Sequence, residues 1–201
     1  MEAASTPADA AAADYPARLD IPYTEPLNRF LPLVKWLLAI PHYIMLAILY
    51  FAAWFGLIGV FFIVLFTGRY PPGLFQFFVG VMRWHERVTA YVLLMTDKYP
   101  AFSLEPVPDD PVQLEIEYPE DGVDRWRPLV AWLLAIPYLF AASIISYIAQ
   151  ILVFFAFFAI LFTRKFPRGM FDIVLVSQRW MVRGYAYAAF MTTRYPPFVW
   201  G

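Results

Sequence analysis

The chain has 201 residues, of which 61% are hydrophobic and only 15% are charged, and its formal net charge is −1 at pH 7. Soluble domains contain about 45–50% apolar and about 25% charged residues, so this composition excludes an ordinary soluble protein and favours a membrane protein. The near-neutral charge gives no reason to expect a nucleic-acid partner. The lack of cysteine excludes disulfides, thiolate metal sites and a cysteine nucleophile.

The first predicted elements are a tail and a short strand. Residues 1–17 are rich in alanine and lack the basic and apolar regions of a signal peptide, which predicts a disordered tail. Residues 18–23 alternate between apolar and polar side chains, as an exposed strand does. Because residues 113–118 repeat this alternation, we expect the two segments to form a small strand pair outside the membrane.

The next element is an apolar run that is too long for one crossing. From Leu31 to Phe66 the only charged residue is Lys35, and about 18 apolar residues are enough to predict a transmembrane helix. As one straight helix this run would extend about 54 Å, against a hydrocarbon core of about 30 Å. We therefore favour a hairpin of two short helices with its turn near residues 55–59. A single helix that begins at Pro41 is the alternative.

An amphipathic helix is predicted to follow at residues 73–96. Gln76, Gly80, Arg83 and Arg87 share one stripe of this helix. If the helix spanned the membrane, each arginine near the centre would cost roughly 2.5–3.5 kcal/mol. We therefore expect the helix to lie at the membrane interface. The alternative, in which it spans together with a single preceding helix, also gives four spans for the whole chain.

The second half of the chain repeats the first. Residues 29–102 and 125–198 align without a gap at an offset of 96, and roughly 30 of about 74 aligned positions are identical. The repeat divides the chain into a tail (1–17), repeat one (18–103), an acidic proline-rich linker (104–112) and repeat two (113–201). The predicted fold is an all-α integral membrane protein with two tandem repeats. Each repeat has apolar membrane-spanning helices followed by an amphipathic arginine-containing helix, about four spans in all.

The topology follows from the even number of crossings in each repeat. Both copies then share one orientation, and every lysine and arginine lies on one side of the membrane. The positive-inside rule makes that side the cytoplasm, so both chain ends and the linker are expected there. The two copies should be related by a rotation axis along the membrane normal.

A stripe of arginines is the strongest candidate site. Arg83, Arg87 and Tyr91 are spaced by four residues, so they stack along one helix face, and the second copy repeats them. Arginine can bind a lipid phosphate through two hydrogen bonds, and tryptophan anchors at headgroup depth. The predicted lipid- or partner-binding residues are Arg83, Arg87, Tyr91, Trp84, Arg179, Arg183, Tyr187 and Trp180, with Arg69, Arg164 and Lys165 in the basic turns. The alternatives are snorkelling side chains and internal ion pairs such as Arg83 with Glu86 or Arg179 with Asp172.

No catalytic chemistry is predicted. His42 and His85 are the only histidines, and Tyr138 and Met181 stand at the equivalent positions of the second copy. We interpret both histidines as interfacial side chains, because nothing else supplies the ligands of a haem or metal site. The serines of the apolar runs lack a neighbouring base. We therefore expect no enzyme, no cofactor and no metal.

Several motifs carry a resemblance to a known family. They are PLVKWLLAIPHYI, LFTGRYPPGLFQF and RWHERVTAYVLLMTDKYPAFSL. With them the chain resembles the bacterial membrane proteins of the domain of unknown function 4389 family, which often carry a tandem copy. The second copy departs from these motifs at Tyr138, Lys165, Phe166 and Thr193. The resemblance implies a multi-pass protein of the bacterial cytoplasmic (inner) membrane, and it implies no reaction.

Two classes of function remain. The first is a non-catalytic membrane scaffold or accessory subunit that binds lipid and packs against a larger membrane complex or a second copy of itself. Its expected partners are then anionic lipid headgroups and that complex. The alternative is a small transporter or channel with its pathway at the repeat interface. The scarcity of polar residues in the predicted spans favours the first class.

Overall fold

The computed structural model describes residues 14–200, so most of the predicted tail lies outside the described residues. Each copy has one long apolar helix followed by a shorter amphipathic helix. The helices are α1 (Leu31–Leu38), α2 (Ile40–Thr67), α3 (Pro72–Val92), α4 (Arg127–Thr163) and α5 (Arg168–Ala188). A single turn residue, Ala39, separates α1 from α2. Leu31–Thr67 and Arg127–Thr163 are each 37 residues long and, by length and composition, could cross a membrane.

The predicted hairpin is wrong, because α2 continues through residues 55–59 without a turn. A glycine inside a helix costs about 1 kcal/mol, which tertiary packing can outweigh. A Cβ at Gly56 would lie 3.4 Å from the ring of Phe78 on α3, so this glycine lets the two helices approach closely. The second copy behaves alike, since α4 is continuous and contains Pro137. The alternative of a single helix that begins at Pro41 describes α2, whereas α4 is one helix that already begins at Arg127, before Pro137.

A left-handed residue ends each long helix. Gly68 after α2 has φ +70° and Arg164 after α4 has φ +63°. Such a residue satisfies the last carbonyls of a helix and turns the chain away. Pro71 and Pro167 then precede α3 and α5, which run back along the long helices. The predicted amphipathic helices are confirmed, although both end about four residues before the expected boundary.

The predicted strand pair is also confirmed. Strands β1 (Ala17–Asp20) and β2 (Gln113–Ile116) pair antiparallel, with Leu19 opposite Leu114. The strands are exchanged between the copies, since β1 packs on α5 and β2 packs on α3. The end of the predicted tail is therefore structured: Ala17 begins β1, and the buried Tyr15 bonds to Thr192 Oγ1 at 3.0 Å.

The two long helices lie antiparallel. At one end, Leu27 N donates to the carbonyl of Arg164 at 2.9 Å. At the other end, Val123 N donates to the carbonyl of Gly68 at 2.8 Å. These contacts join equivalent residues of the two copies, and so does the strand pair. The copies are therefore related by an approximate two-fold axis that is perpendicular to the long helices and passes between the strands.

The molecule has three layers. Large apolar side chains are exposed along the whole of both long helices, from Phe30 (68%) to Phe66 (71%) and from Trp126 (57%) to Phe162 (73%). Most residues of α3 and α5 are covered, so these helices form the middle layer. The strands and their connecting segments cover the far side of α3 and α5. We call the outer surface of α1, α2 and α4 the apolar face, and the opposite surface the polar face.

Candidate functional site

Two of the predicted arginines hold the exchanged strands. Arg83 donates to the carbonyls of Leu104 at 3.0 Å and of Leu114 at 3.4 Å. At the equivalent position, Arg179 donates to the carbonyl of Leu19 at 2.9 Å and pairs with Asp20 at 3.2 Å. Both guanidinium groups therefore bind the polar layer of the protein itself.

The next pair of arginines lies deeper. Arg87 is 2% exposed, donates to the carbonyls of Ser103 at 2.8 Å and Glu105 at 2.9 Å, and forms an ion pair with Asp110. Arg183 is 4% exposed and lies 5.9 Å from the ring centre of Tyr15. The alternative of internal partners thus describes these groups, although the partners differ from the expected carboxylates. A lipid phosphate would have to displace these contacts.

The expectation that Trp84 and Trp180 anchor at headgroup depth is wrong, because they are only 5% and 7% exposed. They lie on the face of α3 and α5 that packs against the long helices. Trp84 Nε1 donates to His42 Nδ1 at 3.0 Å, and Trp180 Nε1 donates to the carbonyl of Val199 at 2.8 Å. Both indoles are part of the core.

The interfacial interpretation of His42 is wrong for the same reason. Its ring is fully buried and stacks on Phe102 with centroids 3.9 Å apart. In the second copy Tyr138 takes this place and stacks on Trp180 at 5.4 Å. His42 and Tyr138 thus fill equivalent positions of the two copies, and each places a buried ring among aromatic neighbours.

Each predicted tyrosine of the stripe is paired with a cation. Lys35 Nζ lies 4.9 Å from the ring centre of Tyr91 and pairs with Asp97 at 2.8 Å. In the second copy the guanidinium of Arg127 lies 5.1 Å from the ring centre of Tyr187. Sequence reasoning missed this correspondence, because the two cations occupy repeat positions four residues apart. On a helix this spacing places them on the same face, one turn apart.

The basic turns lie at the ends of the long helices. Arg69 is exposed, and Arg164 donates to the carbonyl of Leu27 at 3.4 Å. Lys165 pairs with Glu25 at 3.1 Å while its side chain stays 63% exposed. All three residues of the basic turns are therefore exposed to solvent or lipid.

A cavity of about 510 Å³ lies where the two copies meet. It is bordered by α2, α3 and the end of α5. The lining residues are Tyr50, Ala53, Leu57, Phe78, Val81, Met82, His85, Glu86, Tyr185, Ala188, Ala189 and Met191. His85 is therefore part of this cavity, which corrects its interpretation as an interfacial residue. Its neighbour Glu86 is 3% exposed, and burial raises the pKa of this carboxyl to about 8.

Sequence reasoning did not find this cavity. The sequence suggests Glu86 only as an ion-pair partner of Arg83, three residues earlier on the same helix. The available signal was the contrast between copies, since Glu86 and His85 correspond to Val182 and Met181. Among residues 14–200 no group of three or more histidine, aspartate or glutamate side chains is placed to hold a metal ion.

Comparison with known families gives one match. The chain matches the family described as a domain of unknown function (DUF4389) in two segments, residues 32–103 and 125–199. The two matched segments coincide with the two structural repeats. No curated protein and no solved structure matches the chain.

Proposed function

Because the chain belongs to the DUF4389 family, whose description names no activity, we propose its function from its geometry. The protein is a non-catalytic membrane protein that binds lipid through its apolar face and serves as a scaffold or accessory subunit. The observation that carries this proposal is the division of the molecule into an apolar face and a polar face. Monomeric soluble proteins rarely expose contiguous apolar patches beyond a few hundred Å².

The helices lie along the membrane in this proposal. Each long helix exposes apolar side chains over its full 37 residues, a length of about 55 Å. A spanning helix of that length would exceed a hydrocarbon core of about 30 Å by about 25 Å. Lying in the plane of one leaflet buries the whole face and creates no such mismatch.

The polar layer supports the same orientation. Arg83 and Arg179 lie in the middle of α3 and α5 and hold the strand pair there. If the long helices spanned the membrane, this open two-stranded sheet would sit at hydrocarbon depth. Each unpaired backbone group there would cost several kcal/mol. With the helices in the plane, the strands and their exposed charges face water.

The two-fold axis then runs along the membrane normal, as the sequence-based topology expected. Both copies have the same orientation and the polar face lies on one side, the cytoplasmic side by the positive-inside rule. The resemblance of the motifs to bacterial membrane proteins favours the bacterial cytoplasmic membrane. Abundant aromatic side chains, 20 Phe, 13 Tyr and 7 Trp, suit packing against lipid or another membrane protein better than conduction.

Depth measurements test this proposal. Leu37, Ile44, Phe51 and Ile58 are exposed on one face of α1 and α2. The first and the last of these residues lie about 32 Å apart along the helix axis. Since the chain has no cysteine, each can be replaced singly by cysteine, labelled with a fluorophore and probed in vesicles with lipids that carry quenchers at known depths. We expect four similar depths within one leaflet.

A depth that changes steadily by tens of Å along the four sites would show a spanning helix and overturn the in-plane arrangement. Glu117, which is exposed beside β2, is the matched control. A cysteine at this position should react with a water-soluble reagent and escape the lipid quenchers. Equal exposure of all five sites to water would contradict membrane binding itself.

A further inference from the structure

The cavity between the copies contains an unusual polar group. Glu86 is buried, and its Oε2 atom has no hydrogen-bond partner. Beside it, Tyr50 Oη and His85 Nδ1 are 2.5 Å apart, and His85 Nε2 lies 3.4 Å from Thr89 Oγ1. Both ring nitrogens of His85 thus have a hydrogen-bond partner, whereas the Oε2 atom of Glu86 can still form a hydrogen bond.

Packing does not explain the carboxyl. The equivalent residue of the second copy is Val182, which is buried with 1% exposure. An apolar side chain therefore suits this position in the fold. Burying a carboxyl without a full set of hydrogen bonds costs free energy, so the acid reduces stability unless something else contacts it. Perturbed ionisable groups in clefts are typical of binding sites.

The mouth of the cavity borders the apolar face. Tyr50 and Tyr185 line it while remaining 44% and 45% exposed. Phe51 and Trp54, on the same stretch of α2, are exposed on the apolar face at 68% and 61%. A molecule dissolved in the membrane can therefore enter without passing through water.

We propose that this cavity binds an apolar chain molecule that ends in a hydroxyl group, with the chain along the aliphatic and aromatic lining and the hydroxyl at Glu86. This inference rests on the proposed function for access from lipid. The volume lies in the range of about 300–1,000 Å³ found for small-molecule sites, which combine apolar walls with few polar groups.

The head group follows from Glu86. A hydroxyl both donates and accepts, so it can bond to this carboxyl in either protonation state. An anionic head would be repelled by the ionised form. An ammonium head would bring a second charge into a buried site, whose desolvation offsets its attraction to the carboxylate. The uncharged alcohol carries neither cost.

Photolabelling in detergent micelles tests the site. The probe is a twelve-carbon primary alcohol with a photoreactive diazirine on its chain, and competitors are 1-dodecanol and dodecane. We expect labelled peptides from α3 and the end of α5, and stronger competition by dodecanol than by dodecane. Ala53→Trp, which fills the cavity, should reduce labelling at least about tenfold. Ala52 is exposed and does not line the cavity, so Ala52→Trp is the matched control and should label normally.

Two substitutions of Glu86 separate the head group from the chain. Glu86→Gln keeps hydrogen bonding and should label within about twofold of the unmodified protein, whereas Glu86→Leu should lose about tenfold. Melting temperatures of all variants identify any that fail to fold. Equal labelling of Ala53→Trp and Ala52→Trp would overturn the proposal, and so would equal competition by dodecanol and dodecane. Micelles impose no bilayer orientation, so this outcome is independent of the depth measurements.

Discussion

Buried charges of this protein differ in how they are compensated. Lys35, Arg87 and Arg127 each combine backbone carbonyls with a carboxylate or an aromatic ring. Glu86 lacks a comparable partner for its Oε2 atom. Because removing a charge from water costs several kcal/mol unless partners replace the water, the buried Glu86 stays protonated near neutral pH.

Stability should therefore depend on pH through Glu86. Its pKa in the folded protein, about 8, lies above the ordinary value of 4.5 for a glutamate, so the folded state binds the proton more tightly than the unfolded state. The part of the stability that depends on protonated Glu86 is therefore fully present below pH 4.5 and is lost as the pH rises through 8. We expect Glu86→Gln to remove this loss, worth on the order of a few kcal/mol. Thermal unfolding in detergent between pH 5 and about pH 9 measures it.

The control for this experiment is Glu115→Gln, which changes an exposed carboxylate on β2. It should keep the pH profile of the unmodified protein. Parallel profiles for the unmodified protein and Glu86→Gln would show that the carboxyl of Glu86 is already ionised at neutral pH.

At the scale of elements, the contact between α3 and the linker depends on a glycine. A Cβ at Gly80 would lie 2.8 Å from the Cβ of Leu104 and 2.9 Å from its carbonyl oxygen. Because backbone cannot move aside as a flexible side chain can, Gly80→Ala should displace the linker and weaken the bond from Arg83 to Leu104. We expect a loss of about 1–3 kcal/mol in unfolding free energy.

Gly73→Ala is the matched control on the same helix. No atom lies within 4 Å of its added Cβ, and alanine favours a helix over glycine by roughly 0.5–1 kcal/mol. This variant should be neutral or slightly more stable. Denaturant unfolding of both variants decides the matter, and equal effects would show that the linker adapts to the extra methyl group.

Local patterns were enough to predict several elements. The alternation of residues 18–23 and 113–118, and the amphipathic period of α3 and α5, depend on neighbours within one or two turns. The turn predicted at residues 55–59 failed because Gly56 serves contact with Phe78, a residue distant in sequence. The match between Lys35 and Arg127 was missed for a related reason, since a helix face tolerates a shift of one turn.

Local sequence patterns could not predict the candidate cavity. Its lining comes from both copies, and Tyr185 meets Tyr50 and Glu86 only through the antiparallel packing of the repeats. The arginine stripe was correctly located on α3 and α5, but its partners lie on exchanged strands. Strand exchange leaves no signal within either repeat, because each copy contains both the strand and the helix that it could cover.

At the scale of the whole molecule, strand exchange should keep the copies together after the chain is cut. A protease site inserted at Pro108, in an exposed part of the linker, leaves β1 with repeat one and β2 with repeat two. Each strand then still packs on the helix of the other half. We expect the two fragments to elute together in size-exclusion chromatography in mild detergent, and to separate only in denaturant. Separation without denaturant would contradict the exchange.

The two-fold axis between the repeats also helps to explain how one repeat can carry polar residues that the other repeat lacks. A homodimer of identical subunits must carry every substitution twice, once on each side of its axis. Joining the subunits into one chain removes that constraint, so each half diverges alone. His85 and Glu86 face residues of the other half, while Met181 and Val182 keep the aliphatic side chains that packing favours. Fusion thus allows one half to supply polar chemistry while its twin preserves the stability of the fold.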